Sequence, residues 1–215
     1  MSRTQRIGAI ALIALLLTAL FYPALRWLFG EWLGNDYYSH GPLVPIISAL
    51  VAWRLWSSWP ANQRRFAPSN LGLIPALAGL LIYLLALTQR AYFIASLAMI
   101  LTLAGLVWTL LGAATLRRMA FPLLFLVFMV PLPFVEPLSV PMAQVTGAIS
   151  GRFVQLCGVP IQINGAQVTL PNANLIVGAQ CSGLRSIVTL MTLVGLVIFI
   201  VQGPWPSKVL LALSA

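Results

Sequence analysis

A cysteine stands two residues before Gly183 in Gln180-Cys181-Ser182-Gly183-Leu184-Arg185, and the apolar run Ile187 to Val201 follows at once. A thiol in that place sits at the mouth of a helix. The first backbone N–H groups of a helix lack intrahelical partners and carry the positive end of its dipole, which stabilises a thiolate over a thiol. Arg185, four residues after Cys181, adds a fixed positive charge on the same helical face. The same spacing also suits a small buried cysteine with Ser182 as an ordinary N-cap, and an Arg185 that snorkels to lipid head groups.

Acyl transfer through a thiolate needs a nucleophile, a partner that takes and returns a proton, and a donor for the developing oxyanion. The single histidine, His40, lies in Asn35-Asp36-Tyr37-Tyr38-Ser39-His40-Gly41-Pro42. It is a candidate partner for Cys181, and equally a turn histidine bonded to backbone or to Asp36. The other cysteine, Cys157, has no basic neighbour at its side on the amphipathic stretch and is expected to be a buried structural residue. No CxxC or HExxH spacing occurs, two cysteines make no disulfide framework, and neither metal nor cofactor is expected.

The elements that position these residues are membrane helices. Of 215 residues 60% are hydrophobic and 7% charged, which a soluble domain cannot carry without large exposed apolar patches. The twelve Lys and Arg residues, giving a net charge of +9, come as singles and pairs between apolar runs; they mark topology and not a nucleic-acid surface. Spanning helices are expected at Ile7–Phe29, Leu71–Leu87, Ala91–Gly112 and Ser182–Val201, with shorter tilted ones at Pro42–Trp56 and Phe121–Val135. Ile7–Phe29 is too long for a signal-peptide core and lacks a cleavage site, so it is expected to be retained. The run from Lys208 to Ala215 is too short to cross a bilayer, and more chain is expected beyond it. The whole of 1–215 is expected to be one membrane domain.

Charge fixes an orientation. Arg3, Arg6, Arg54, Arg64, Arg65, Arg117, Arg118 and Lys208 fall in alternate loops and predict a cytoplasmic face with the amino terminus on it. The other side receives Arg26, Arg90, Arg152 and Arg185 with all three acids, Glu31, Asp36 and Glu136, and so holds His40 and Cys181. Within the outer segment Glu136 to Gln180, Pro141–Leu156 predicts an amphipathic helix. Its apolar stripe, Met142, Val145, Ile149, Phe153 and Leu156, suits the bilayer interface or a cap on the bundle. Ile161 and Ile163, then Val168 and Leu170 around Asn164-Gly165, predict a small β-hairpin that hands the chain to Cys181.

In several places the chain resembles the exosortase and archaeosortase family of membrane cysteine transpeptidases. They are Tyr38-Ser39-His40-Gly41-Pro42-Leu43 with Trp53-Arg54, Ala120-Phe121-Pro122 leading to Pro131-Leu132-Pro133, the Gly165–Pro171 hairpin, and above all Cys181-Ser182-Gly183-Leu184-Arg185-Ser186. The resemblance implies an all-α polytopic bundle of the bacterial inner membrane in which Cys181 is the nucleophile. It would form a thioester with exported proteins bearing a carboxy-terminal sorting signal: a Pro-Glu-Pro motif, a transmembrane helix and a basic tail. Such processing is linked to exopolysaccharide and surface display. The substrate's anchor is expected to pack on small residues such as Gly72, Ala76 and Gly79.

Two departures from the family stand out. Its further catalytic residues, an arginine and a histidine or arginine, lie in spans after the cysteine-bearing helix, where this chain has ended. The glutamate often found before the cysteine motif is replaced by Gly178-Ala179-Gln180. A non-catalytic scaffold for surface-polymer export is therefore the alternative reading. A transporter is disfavoured because Leu71–Leu87 and Ala91–Gly112 carry no ionisable charge.

Overall fold

A computed structural model describes residues 3–60, 67–158, 161–164, 167–170, 173–176 and 183–200. The chain forms two compact units, Met1–Val130 and Pro131–Ala215. The first contains helices α1 (Arg3–Leu20), α2 (Tyr22–Gly34), α3 (Leu43–Ser57), α4 (Leu73–Thr88), α5 (Tyr92–Leu111), α6 (Ala113–Arg118) and α7 (Ala120–Phe125). Tighter 3-10 turns lie at Asp36–Tyr38, Asn70–Gly72 and Leu126–Met129.

The α4–α5 pair organises this unit. Lipid tails are as apolar as leucine, so membrane helices associate where small residues let backbones approach. A Cβ on Gly79 would come within 2.6 Å of Thr102 Oγ1, one on Gly72 within 2.6 Å of Thr109 Oγ1, and one on Gly105 would strike the backbone nitrogen of Ala76. The threonine hydroxyls are turned back onto their own helix, donating to Ala98 and Gly105 carbonyls at 2.8 Å. The small-residue stripe Gly72, Ala76 and Gly79 is therefore occupied by α5. It is not a free seat for a substrate helix, which corrects that expectation. After α4, Arg90 adopts a left-handed conformation (φ 54°), and the N–H groups of Arg90 and Ala91 bond back to Leu87 and Ala86 carbonyls, which turns the chain directly into α5.

Among the described residues, Asn70–Thr88 and Tyr92–Leu111 are long and apolar enough to cross a membrane, and a third span results if the bent pair Leu12–Leu20 and Tyr22–Gly34 counts as one. The expected continuous helix Ile7–Phe29 is thus corrected: it bends by 69° at Phe21. Pro23 is the cause, because it has no N–H to give and its ring crowds the preceding turn. The carbonyl of Leu20 at the break accepts a hydrogen bond from Tyr83 Oη at 2.8 Å, and the buried Phe21 ring stands edge-on to Tyr83.

The two short runs also fall short of full spans. Helix α3 has 15 residues, about 22 Å at 1.5 Å per residue against roughly 30 Å of hydrocarbon. The second is split into α7 and the turn Leu126–Met129, after which Val130 is extended. A buried bond from Ser48 Oγ to the Pro122 carbonyl, 2.6 Å, fixes α3 against α7.

The second unit contains α8 (Val135–Leu156), strands β1 (Gln162–Asn164), β2 (Gln167–Leu170) and β3 (Ala173–Ile176), and α9 (Leu184–Ile200). Helix α8 starts six residues before the expected Pro141 and runs through that proline. Its buried face is Val135, Ser139, Ala143, Gly147 and Gly151, small residues at spacings of four. Val145, Ile149, Phe153 and Leu156 are exposed, so within this unit the apolar stripe points away from the packed small-residue face. The strands form an antiparallel sheet in the order β1-β2-β3, with Val168 opposite both Ile163 and Leu175. This is one strand more than the two-stranded hairpin expected. Gln155 Nε2 donates to the Ile161 carbonyl at 3.0 Å and ties the end of α8 to the sheet.

Candidate functional site

The turn that carries His40 is built by its own sequence. Asn35 ends α2, its N–H bonding to Glu31, and its side-chain oxygen then accepts the Tyr37 N–H at 3.1 Å. Bonds from Tyr38 N–H to Asn35 and from Gly41 N–H to Tyr38 wind the chain tightly, and Leu43 N–H to the His40 carbonyl starts α3. Gly41 lies flat against the Trp32 indole, where any Cβ would collide with the ring. Trp32 in turn donates Nε1–H to the Met129 carbonyl at 2.9 Å, a buried bond across 97 residues of sequence. The result is that α2, the His40 turn and Leu126–Met129 share one end of the first unit.

His40 itself is only 8% exposed, beside the buried Tyr38 ring at 6.1 Å. Among the described residues neither ring nitrogen has a hydrogen-bond partner, and the expected bond to backbone or to Asp36 is not made. Burial holds its pKa below the ordinary histidine value. The Phe128 backbone pulls weakly the other way without reaching hydrogen-bond geometry. The ring is accordingly a neutral imidazole at physiological pH, with one N–H and one lone pair uncommitted. Protonation penalises the folded state more than the unfolded one. Stability is therefore fully present above the unfolded value near 6.5 and falls as pH drops below it. The melting midpoint is expected to decline between pH 7.5 and 5.5, and His40→Phe to flatten that decline; an unchanged profile in the variant contradicts the burial argument.

Beside this turn, Phe29, Trp32, Pro42, Pro45, Met99 and Met129 line an apolar groove of about 470 Å³. Trp32, Tyr38 and Met129 were not legible as site residues, since Met129 is remote in sequence and the indole–carbonyl bond leaves no local pattern. A glycine following a histidine at a helix start was the one available hint.

Cys181 and Ser182 lie outside the described residues, and of Arg185 only the backbone is described. Helix α9 begins at Leu184 with Gly183 (φ 70°) before it, and Ile187 N–H bonds to the Gly183 carbonyl at 3.0 Å. The residue flanking the first helical position is therefore Gly183, and the alternative that made Ser182 the N-cap falls on a residue outside the described ones. Arg185 is in the first helical turn, where the dipole disfavours a cation and favours a neighbouring anion. Cys157 is exposed, at the carboxy-terminal end of α8 next to the 85% exposed Leu156. The buried role expected for it is corrected: among the described residues no element covers that face of the last turn of α8. Among the described residues no three His, Cys, Asp or Glu side chains gather as a metal site.

In comparison with known proteins, a family model described as transmembrane exosortase matches residues 32–215. No curated protein and no solved structure matches.

Proposed function

This chain belongs to the transmembrane exosortase family, and on that premise we propose that it is a membrane-embedded cysteine peptidase or transpeptidase acting through Cys181. The family match carries the reading, because it spans both the His40 turn and the Cys181 segment. Sγ of the thiolate attacks the scissile carbonyl carbon to give a tetrahedral oxyanion; the C–N bond then breaks to leave the thioester, and the departing amine takes up the proton that the thiol released on ionising. Water or an amine then attacks the thioester and returns the thiolate. Backbone N–H groups at the start of α9 and the charge of Arg185 supply positive potential for both thiolate and oxyanion. Ser182 and His40 are supporting residues, the latter through an uncommitted imidazole.

The substrates are exported proteins with a carboxy-terminal transmembrane sorting signal, bacterial and of the Pro-Glu-Pro type, held in the inner membrane. The arginines Arg54, Arg117 and Arg118 lie at one end of the first unit and Asp36 with His40 at the other, because α3 runs between them. That segregation supports a cytoplasmic amino terminus and a His40 turn on the outer side. The β element and α8, with its exposed apolar stripe, belong at the outer interface. With the α4 stripe occupied, the groove beside Trp32 and Pro42 is the seat for the substrate's apolar anchor.

Co-expression of the full-length protein with a tagged exported protein carrying such a signal, in a bacterium that does not process it, is expected to release the signal from the tag. An intact substrate at all times overturns the activity.

A further inference from the structure

A second groove, of about 490 Å³, runs along the first unit between α3 and the α6–α7 segment, floored by Ala49, Ala52, Met119 and Leu123. Its lining is almost wholly apolar, and Trp53 and Trp56 stand at one end. That end is basic. Arg118 is held over the Trp59 ring at 5.1 Å, with Nε 3.3 Å from the Leu55 carbonyl and Nη2 3.4 Å from Ser58 Oγ. These contacts fix the plane of the guanidinium and leave further N–H donors without an acceptor among the described residues. Arg54 and Arg117 are exposed on the same end of the unit.

Neither acid of the first unit answers these charges. The three acids of the chain are Glu31 and Asp36, at the other end of α3, and Glu136, in the second unit. A planar guanidinium fixed by stacking pairs best with a phosphate, and an apolar channel leading from it suits a fatty-acyl chain. We propose that this groove is a binding site for an anionic glycerophospholipid, its acyl chain between α3 and α7 and its phosphate on Arg118, with Arg117 and Arg54 alongside. Basic pockets of this kind draw anionic lipids from the leaflet they face.

The test is native mass spectrometry of the full-length protein in micelles carrying equal phosphatidylglycerol and phosphatidylcholine. Retained phosphatidylglycerol is expected to exceed phosphatidylcholine about tenfold. The double variant Arg117→Gln/Arg118→Gln is expected to abolish that preference. Ala52→Phe, which fills the groove and keeps the charges, is expected to reduce retention of both lipids, and Arg90→Gln to leave it unchanged. Equal retention of the two lipids by the parent protein overturns the proposal. So does displacement of the lipid by inorganic phosphate with no effect of Ala52→Phe, which would mean a bare anion site. Helicity by circular dichroism separates loss of binding from loss of fold.

Discussion

Cys181→Ala is expected to lower processing of a sorting-signal substrate by at least about 10³-fold, because no other group can replace the nucleophile in a covalent mechanism. Cys181→Ser is expected to be nearly as inactive: a hydroxyl is not ionised by a helix terminus and an arginine that suffice for a thiol. Cys157→Ser is expected to process at the parent rate, since that thiol is exposed at the end of α8 and the proposal gives it no part. The readout is the fraction of tagged substrate cleaved over time at equal membrane levels of each variant. Undiminished cleavage by Cys181→Ala moves the chemistry to another residue.

Gly105→Leu is expected to destabilise the first unit by more than about 3 kcal/mol. The added atoms meet the backbone of Ala76, which cannot yield as a side-chain tip can, so α4 and α5 must part. Gly79 against Thr102 and Gly72 against Thr109 lie on the same interface and would separate with it. Leu110→Ala removes three carbons from a residue that is 54% exposed, and is expected to change little. Thermal stability of the detergent-solubilised protein, followed by size-exclusion chromatography, measures both. A folded Gly105→Leu with the parent midpoint would contradict the packing described.

The helices α4 and α5 were legible because each is an unbroken apolar run of spanning length, bounded by Gly or by a polar pair. The break at Phe21 was harder to read, although Pro23 was in view: whether a membrane helix breaks near a proline depends on who satisfies the carbonyls at the break, and here Tyr83, 63 residues away, takes that of Leu20. Helix α8 shows why apolar periodicity misleads in a membrane. Lipid accepts Ile149 and Phe153 as readily as a protein core does, so the stripe marks the exposed face, while Ala143, Gly147 and Gly151 mark the packed one. The thiol motif was legible as a motif, but the start of its helix was not, because Ser182 and Gly183 both suit a position just before a helix. The uncommitted ring of His40 followed from burial among residues remote in sequence, which no spacing announces.

Thioester formation on Cys181 is the step on which the rest depends, and intact mass spectrometry of the full-length Cys157→Ser protein, quenched in acid during turnover, tests it most directly. A mass increase equal to the amino-terminal part of the substrate, located on the peptide containing Cys181 and removed by neutral hydroxylamine, is predicted. Turnover of substrate with Cys181 unmodified under every quench, or an adduct on a different residue, contradicts it.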